Sequence, residues 1–123
     1  MNLTRMQLAA VLRAGIIVSK ADGTADPKEL ELLVHELKKF DLSPEAGKNI
    51  IDVANDMPVE TMVEQLKQLS YEDQKYVCGY LAVMILADGD IKDSEIEAWK
   101  AICTLCDFPT MTAKEALEYW RKH

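Results

Sequence analysis

The chain contains few of the residues that mark secreted or nucleic-acid-binding proteins. It has three cysteines among 123 residues, and an odd count argues against a disulfide-stapled secreted module and fits a reducing compartment. Basic residues are also scarce, because 14 Lys and Arg stand against 21 Asp and Glu, which gives a formal net charge of -7. A chain without a basic field cannot neutralise a phosphate backbone, so we expect no nucleic-acid binding.

Long apolar runs are missing from the amino-terminal segment. Its longest uninterrupted apolar stretch is Ala14 to Val18, far below the roughly 20 residues that span a bilayer. Arg13 interrupts the apolar region and Asp22 follows it, which is not the pattern of a secretory signal peptide. We therefore expect no direct membrane insertion and a cytoplasmic location.

Residues arranged for catalysis or for cofactor binding are also missing from the pattern. The five glycines are isolated and form no Gly-rich phosphate loop. The two histidines are His35, which we expect on a charged helix surface, and the terminal His123. No serine or cysteine is visibly placed beside a base, so nucleophilic catalysis has almost no support. We expect a protein that is not an enzyme.

Helical periodicity runs through the whole chain, whereas no segment alternates apolar and polar residues long enough to predict a strand. The length suits one domain over residues 1–123. The predicted fold is all-α, with about seven helices in a single compact domain. The predicted helices begin near Leu3, Asp26, Ser43, Pro58, Ser70, Lys92 and Thr112, and the fifth and sixth extend to about Ala87 and Cys106.

A segment of the sequence is repeated at an offset of 66 residues. The stretch from Ala21 to Glu31 aligns with the stretch from Ala87 to Glu97, and Ala, Asp, Gly and two Glu recur identically. Each copy follows an apolar helix and opens another one. We therefore expect two helical hairpins packed about a pseudo-two-fold axis.

The repeated loop has two interpretations. In the first, glycine ends the incoming helix and the acids only cap the outgoing helix and complement its dipole. In the second, Gly89, Ile91 and Glu95 match the second half of an EF-hand loop. The first and third loop places are Met84 and Leu86, which cannot donate oxygen. One loop alone therefore cannot bind Ca²⁺, which needs six to eight oxygens.

Two loops that meet could bind one cation together. Pooled carboxylates repel each other, and a hard divalent cation relieves that repulsion. Ca²⁺ is the expected ion, with Mg²⁺ and Zn²⁺ as alternatives. The candidate ligands are Asp22, Asp26, Glu29, Asp88, Asp90 and Glu95.

The cysteines are predicted to fill core positions. Cys103 and Cys106 have the spacing of a redox or zinc pair, but they lie in the last turn of a predicted helix, where the helix dipole raises a thiol pKa. The repeat places them over the apolar residues Leu37 and Phe40. Cys78 shows no metal-ligand spacing relative to either of them.

The two Ala-Asp-Gly blocks at residues 21–23 and 87–89, each followed six residues later by Glu29 or Glu95, resemble the TerB-like family. This family includes the tellurite-resistance TerB proteins and a domain of DjlA-type co-chaperones. The resemblance covers nearly the whole chain and implies an all-α domain whose acidic loop face is associated with divalent-metal binding and bacterial stress responses. Carried over by position, that face is Asp22, Glu29, Asp88 and Glu95, with Asp26 and Asp90 as additions. Lys92 departs from the pattern, because relatives often carry an acid there.

The sequence thus predicts a non-catalytic, cation-binding TerB-like domain that acts as a stress-response or interaction module with a protein partner. The alternative is a purely structural or protein-interaction domain without an ion, in which the acids serve as helix caps.

Overall fold

Every regular element that the structure describes is an α-helix, which confirms the predicted all-α fold. The computed structural model describes residues 3–20, 35, 40, 42–86 and 92–122. Within these ranges the predicted second helix is represented only by His35, which is helical and exposed, and by Phe40 at a turn. The six helices with defined bounds are α1 (Arg5–Ser19), α2 (Pro44–Asp56), α3 (Val59–Lys67), α4 (Tyr71–Leu86), α5 (Asp93–Leu105) and α6 (Ala113–Lys122).

Short polar side chains start several helices where the sequence predicts them. The Ser43 hydroxyl accepts the Ala46 amide at 3.1 Å before α2, and the Ser70 hydroxyl accepts an amide of the first turn of α4 at 3.2 Å. Before α6, the Thr112 amide donates to Glu115 at 3.0 Å and the Glu115 amide donates to Thr112 at 3.1 Å. These bonds satisfy amides that have no partner inside the helix.

Helix α1 lies at the centre of the core and contacts α2, α3, α4 and α5. Its apolar residues are buried on nearly all sides, because neighbouring helices surround it. Helix α4 is similarly apolar and buries most of its residues. Even so, none of the helices in the described ranges has the length and apolar character needed to cross a membrane.

The apolar side chains of Met6, Val53 and Val59 are exposed, although their helical spacing is typical of a buried face. Met6 and Val53 are each 45% exposed and Val59 is 41% exposed. Met6 and Val53 line a shallow apolar groove of about 150 Å³ between α1 and α2. Ile50 and Ala54, which lie three residues before and one residue after Val53 in α2, are buried. Helix α2 therefore presents a narrower apolar stripe to α1 than its composition indicates.

Helices α4 and α6 form the most extensive helix–helix contact among those described, and they meet at Gly79. A β-carbon placed on Gly79 would lie 2.3 Å from the carbonyl oxygen of Ala116 and 2.4 Å from the β-carbon of Trp120. No other residue type fits this approach without moving the backbone of α6.

The carboxyl end of α5 is closed by a Schellman motif with a non-glycine residue at the left-handed position. Asp107 adopts a φ angle of 56°. The Phe108 amide donates to the carbonyl of Cys103 at 2.9 Å and the Asp107 amide donates to that of Thr104 at 3.2 Å. These bonds satisfy two of the last carbonyl groups of α5.

Candidate cation site

Of the six carboxylates predicted to bind a cation, the structure describes Glu95. The other five, Asp22, Asp26, Glu29, Asp88 and Asp90, lie outside the described residues. The meeting of the two acidic loops therefore stays a prediction. Within the described ranges, no group of three or more His, Cys, Asp and Glu side chains could hold a metal ion.

Glu95 occupies a core position at the start of α5. Its side chain is fully buried, with 0% of its surface exposed. The buried residues of α5 are Glu95, Trp99 and Ile102, and their spacing of four and three residues places them on one face of the helix. Glu95 thus lies on the same buried face of α5 as Trp99 and Ile102. It is one turn closer to the start of the helix, which the acidic segment precedes in sequence.

Lys92 is in ionic contact with the buried carboxylate. Its Nζ atom lies 3.8 Å from Oε1 of Glu95, and its own side chain is 29% exposed. Burial of a carboxylate costs several kcal/mol, whereas the positive end of a helix dipole contributes about 0.3–1 kcal/mol. The dipole alone therefore does not offset the burial, and the charge of Lys92 contributes to the remainder.

The start of α5 does not follow the capping pattern found at other helices. Its N-cap residue is Lys92, which has an extended backbone and no capping hydrogen bond from its side chain. At α1, by contrast, Thr4 and Gln7 form a reciprocal capping box with two bonds of 3.0 Å. Asp93 and Glu95 lie in the first turn of α5, where a negative charge complements the helix dipole. The burial of Glu95 goes beyond that role, since a carboxylate in the first turn can complement the dipole while it is exposed.

The three cysteines lie close to one another between α4 and α5. Cys78 and Cys106 are buried, with 1% and 0% of their surfaces exposed, as the core prediction requires. Cys103 is only half-buried, and its Sγ atom lies 3.8 Å from Sγ of Cys78. The close pair thus joins two helices, whereas sequence spacing draws attention to Cys103 and Cys106. Buried cysteines occupy small apolar positions. The sequence spacing of Cys78 therefore gives no sign that it lies beside Cys103.

The thiols differ in acidity. The hydrogen bond between Cys78 and Cys103 lowers the pKa of Cys103, despite its burial, and the same bond raises the pKa of Cys78. Burial raises the pKa of Cys106 to about 11, and the positive charge of Lys67 only partly opposes this. At neutral pH the thiol most ready to ionise is therefore Cys103.

Comparison with known proteins agrees with the helical architecture. The profile of the family described as "Tellurite resistance protein TerB" matches residues 6–118. A crystal structure of a protein of unknown function from Porphyromonas gingivalis is similar to this one, with a TM-score of 0.83 and 28% sequence identity, over 100% of this chain and 99% of that chain. No protein in the curated set matches the chain. Because the family profile covers nearly the whole sequence, the chain belongs to the TerB family.

Proposed function

We propose that this TerB-family domain binds a divalent cation through its two acidic loops and acts as a non-catalytic interaction module. Ca²⁺ is the preferred ion in this proposal, with Mg²⁺ and Zn²⁺ as weaker alternatives. The carrying observation is that Glu95, the residue that closes the second acidic segment, is a fully buried carboxylate. Carboxylate oxygens are the ligands that Ca²⁺ and Mg²⁺ prefer.

The donor chemistry of the acidic residues fits such an ion. The set comprises Asp22, Asp26, Glu29, Asp88, Asp90 and Glu95. Six carboxylates can supply the six to eight oxygens that Ca²⁺ requires, particularly where one of them binds through both oxygens, as the closing Glu of an EF-hand does. Glu95 matches that closing position in sequence. Its burial also removes it from water, which strengthens its interaction with a cation.

The helix contacts support bringing the two loops together. Helix α1 precedes the first acidic segment, and α4 precedes the second. These two helices contact each other, and α1 also contacts α5, the helix on which Glu95 lies. A cation bound by both segments would join the loop after α1 to the start of α5, and so would fix the two hairpins relative to one another.

Lys92 affects how tightly a cation can bind at Glu95. Its ammonium group lies 3.8 Å from a carboxylate oxygen of Glu95, so a cation at that oxygen must compete with it. Lys92 is partly exposed and can turn toward solvent at a small cost. Removal of the Lys92 charge should therefore raise cation affinity.

The same ion pair favours the second candidate function, a structural or protein-interaction domain without an ion. In that alternative, Lys92 provides the compensating charge for Glu95 at all times, and the acidic loops serve as helix ends and as a solvated face. Both candidates include a protein partner. Both also include a cytoplasmic location, and the odd cysteine count supports that location. The family description supports a role in the response to stress, of which tellurite resistance is one form.

Calorimetric titration with Ca²⁺, Mg²⁺ and Zn²⁺ distinguishes the two candidates. We expect Glu95→Gln to lower Ca²⁺ affinity by about tenfold or more, because one charged ligand is lost, and Lys92→Met to raise it. Glu97→Gln is the matched control, since Glu97 is exposed on the same helix and loses the same charge. The double variant Asp22→Asn with Asp88→Asn should abolish binding.

The structural alternative predicts a different set of results. In that case none of the three ions gives a binding heat, and none raises the melting temperature of the wild-type protein. A Glu95→Gln variant that binds Ca²⁺ as tightly as Glu97→Gln would also exclude the proposed site, even if the protein binds the ion elsewhere.

A further inference from the structure

Two cysteines from different helices face each other beside a cavity. Cys78 lies in α4, Cys103 lies in the last turn of α5, and their Sγ atoms are 3.8 Å apart. A disulfide bond has an S–S length of about 2.05 Å. The two sulfur atoms must therefore approach by less than 2 Å, roughly the reach of a side-chain rotation. This pair uses none of the acidic residues of the candidate cation site.

The backbone carbonyl groups of both cysteines accept hydrogen bonds. The buried indole of Trp99 in α5 donates from Nε1 to the carbonyl oxygen of Cys78 in α4 at 3.1 Å. The carbonyl of Cys103 accepts the Phe108 amide in the turn that ends α5. These bonds connect α4, α5 and the following turn, and so position the backbone from which each thiol extends.

The cavity gives a small molecule access to Cys103. It has a volume of about 410 Å³ and is lined by both cysteines, by Trp99 and by residues that include Lys100 and Thr104. Lys100 and Thr104 are exposed, so the cavity reaches the solvent. Cys103 is half-buried at its wall, whereas Cys78 is buried behind it.

The electrostatics assign different roles to the two thiols. The hydrogen bond that the two thiols share lowers the pKa of Cys103 and raises the pKa of Cys78. Lys100 and Asp107, which carry opposite charges, both line the same cavity. Because the thiolate is the nucleophile, the accessible Cys103 is the thiol that reacts first.

We propose that Cys78 and Cys103 form a redox-active pair that a small hydroperoxide converts reversibly into a disulfide between α4 and α5. The Cys103 thiolate attacks one peroxide oxygen, the O–O bond breaks, and the leaving oxygen takes a proton and departs as water or an alcohol. This leaves Cys103 as a sulfenic acid. The Cys78 sulfur then attacks the Cys103 sulfur, so that the S–S bond forms and the S–O bond breaks. The departing hydroxide takes the Cys78 proton and leaves as water.

Two electrons thus pass from the two thiols to the hydroperoxide. Thiol–disulfide exchange with a cellular dithiol returns both cysteines to the reduced state and oxidises that dithiol. Cys106 takes no part, because it is fully buried and burial raises its pKa to about 11.

Oxidation of the reduced wild-type protein by equimolar hydrogen peroxide tests the pair. We expect the intact protein to lose the mass of two hydrogen atoms and peptide mapping to find Cys78 linked to Cys103. Dithiothreitol should reverse the change. In the Cys78→Ala variant, dimedone should label a sulfenic acid at Cys103, because the resolving thiol is gone.

Cys106→Ala is the matched control and should form the same disulfide as the wild type. Before oxidation, iodoacetamide should alkylate Cys103 in the native wild-type protein at least about tenfold faster than Cys106. A crosslink that contains Cys106, oxidation without any crosslink, or equal alkylation rates for Cys103 and Cys106 would each overturn the proposal. The rates and the mapping use the wild-type chain, so they do not depend on how the variants fold.

Discussion

Replacement of Gly79 by alanine tests the packing of α4 against α6. In an isolated helix this change would stabilise the chain by about 0.8–1 kcal/mol, because alanine has the better helix propensity. In the folded protein the added β-carbon would lie 2.3 Å from the carbonyl oxygen of Ala116. Carbon atoms in favourable contact lie at about 3.5 Å or more, so α6 must move away by about 1 Å.

The clash involves backbone, and rotation of a side chain cannot relieve it. Overpacking of this kind typically costs about 1–3 kcal/mol, and a backbone contact belongs at the upper end of that range. After subtraction of the propensity gain, we expect Gly79→Ala to lower the free energy of unfolding by about 2 kcal/mol. For a chain of this size the melting temperature should fall by roughly 8 °C.

Gly47 provides the matched control, because it lies in helix α2 and a β-carbon there would meet nothing within 4 Å. Gly47→Ala should raise the free energy of unfolding by about 0.5–1 kcal/mol. Urea denaturation followed by circular dichroism measures both variants, with unchanged m-values as the sign of an unchanged two-state transition. If Gly79→Ala proves as stable as Gly47→Ala, the close approach of α4 and α6 is wrong.

Three further predictions concern single residues. Asp107 holds a φ angle of 56°, so Asp107→Gly should raise the melting temperature slightly and Asp107→Val should lower it. Thr112→Ala should reduce stability by about 1 kcal/mol at neutral pH. Backbone and side-chain bonds with Thr112 lower the pKa of Glu115, so the Glu115 contribution is present above its ordinary pKa and is lost as pH falls through the lowered one. The Tyr119 hydroxyl donates a hydrogen bond to Glu72, and this bond raises the pKa of Tyr119 to about 12. Spectroscopic titration of the Tyr119 phenol should give this value, and Glu72→Gln should lower it. The stability that the hydrogen bond contributes should be lost as pH rises from about 10 to 12.

Local signals in the sequence predicted much of the fold. Ser43, Ser70 and Thr112 each mark the start of a helix, because a short polar side chain satisfies amides in the next turn wherever the helix lies. Burial depends on distant partners and was predicted less well. Met6 and Val59 match the helical period but are exposed. The period shows which residues share a face of a helix, but it does not show how much of that face a neighbouring helix covers.

The candidate cation site was only partly predictable for a related reason. The repeat identified Glu95 as the closing acid, yet its complete burial follows from its position one turn before Trp99 on the core face of α5. Its contact with Lys92 is local, three residues away along the helix. A contact between two loops 66 residues apart would depend on the tertiary arrangement of the helices, which no local signal contains.

The thiol pair shows how sequence spacing can mislead. Cys103 and Cys106 attract attention because they are three residues apart, but Cys106 is a core residue. The partner of Cys103 is Cys78, 25 residues away on another helix. Contacts between helices depend on packing and leave no spacing signal in one sequence.

The central claim is that both acidic loops bind one cation together with Glu95. A crystal structure of the protein grown with Ca²⁺, with the ion located by its anomalous scattering, tests it most directly. We expect one Ca²⁺ with a carboxylate oxygen of Glu95 and oxygens of both acidic segments at about 2.3–2.6 Å, and with the Lys92 side chain turned away. An ion-free crystal in which the two acidic segments lie at opposite ends of the molecule would contradict it.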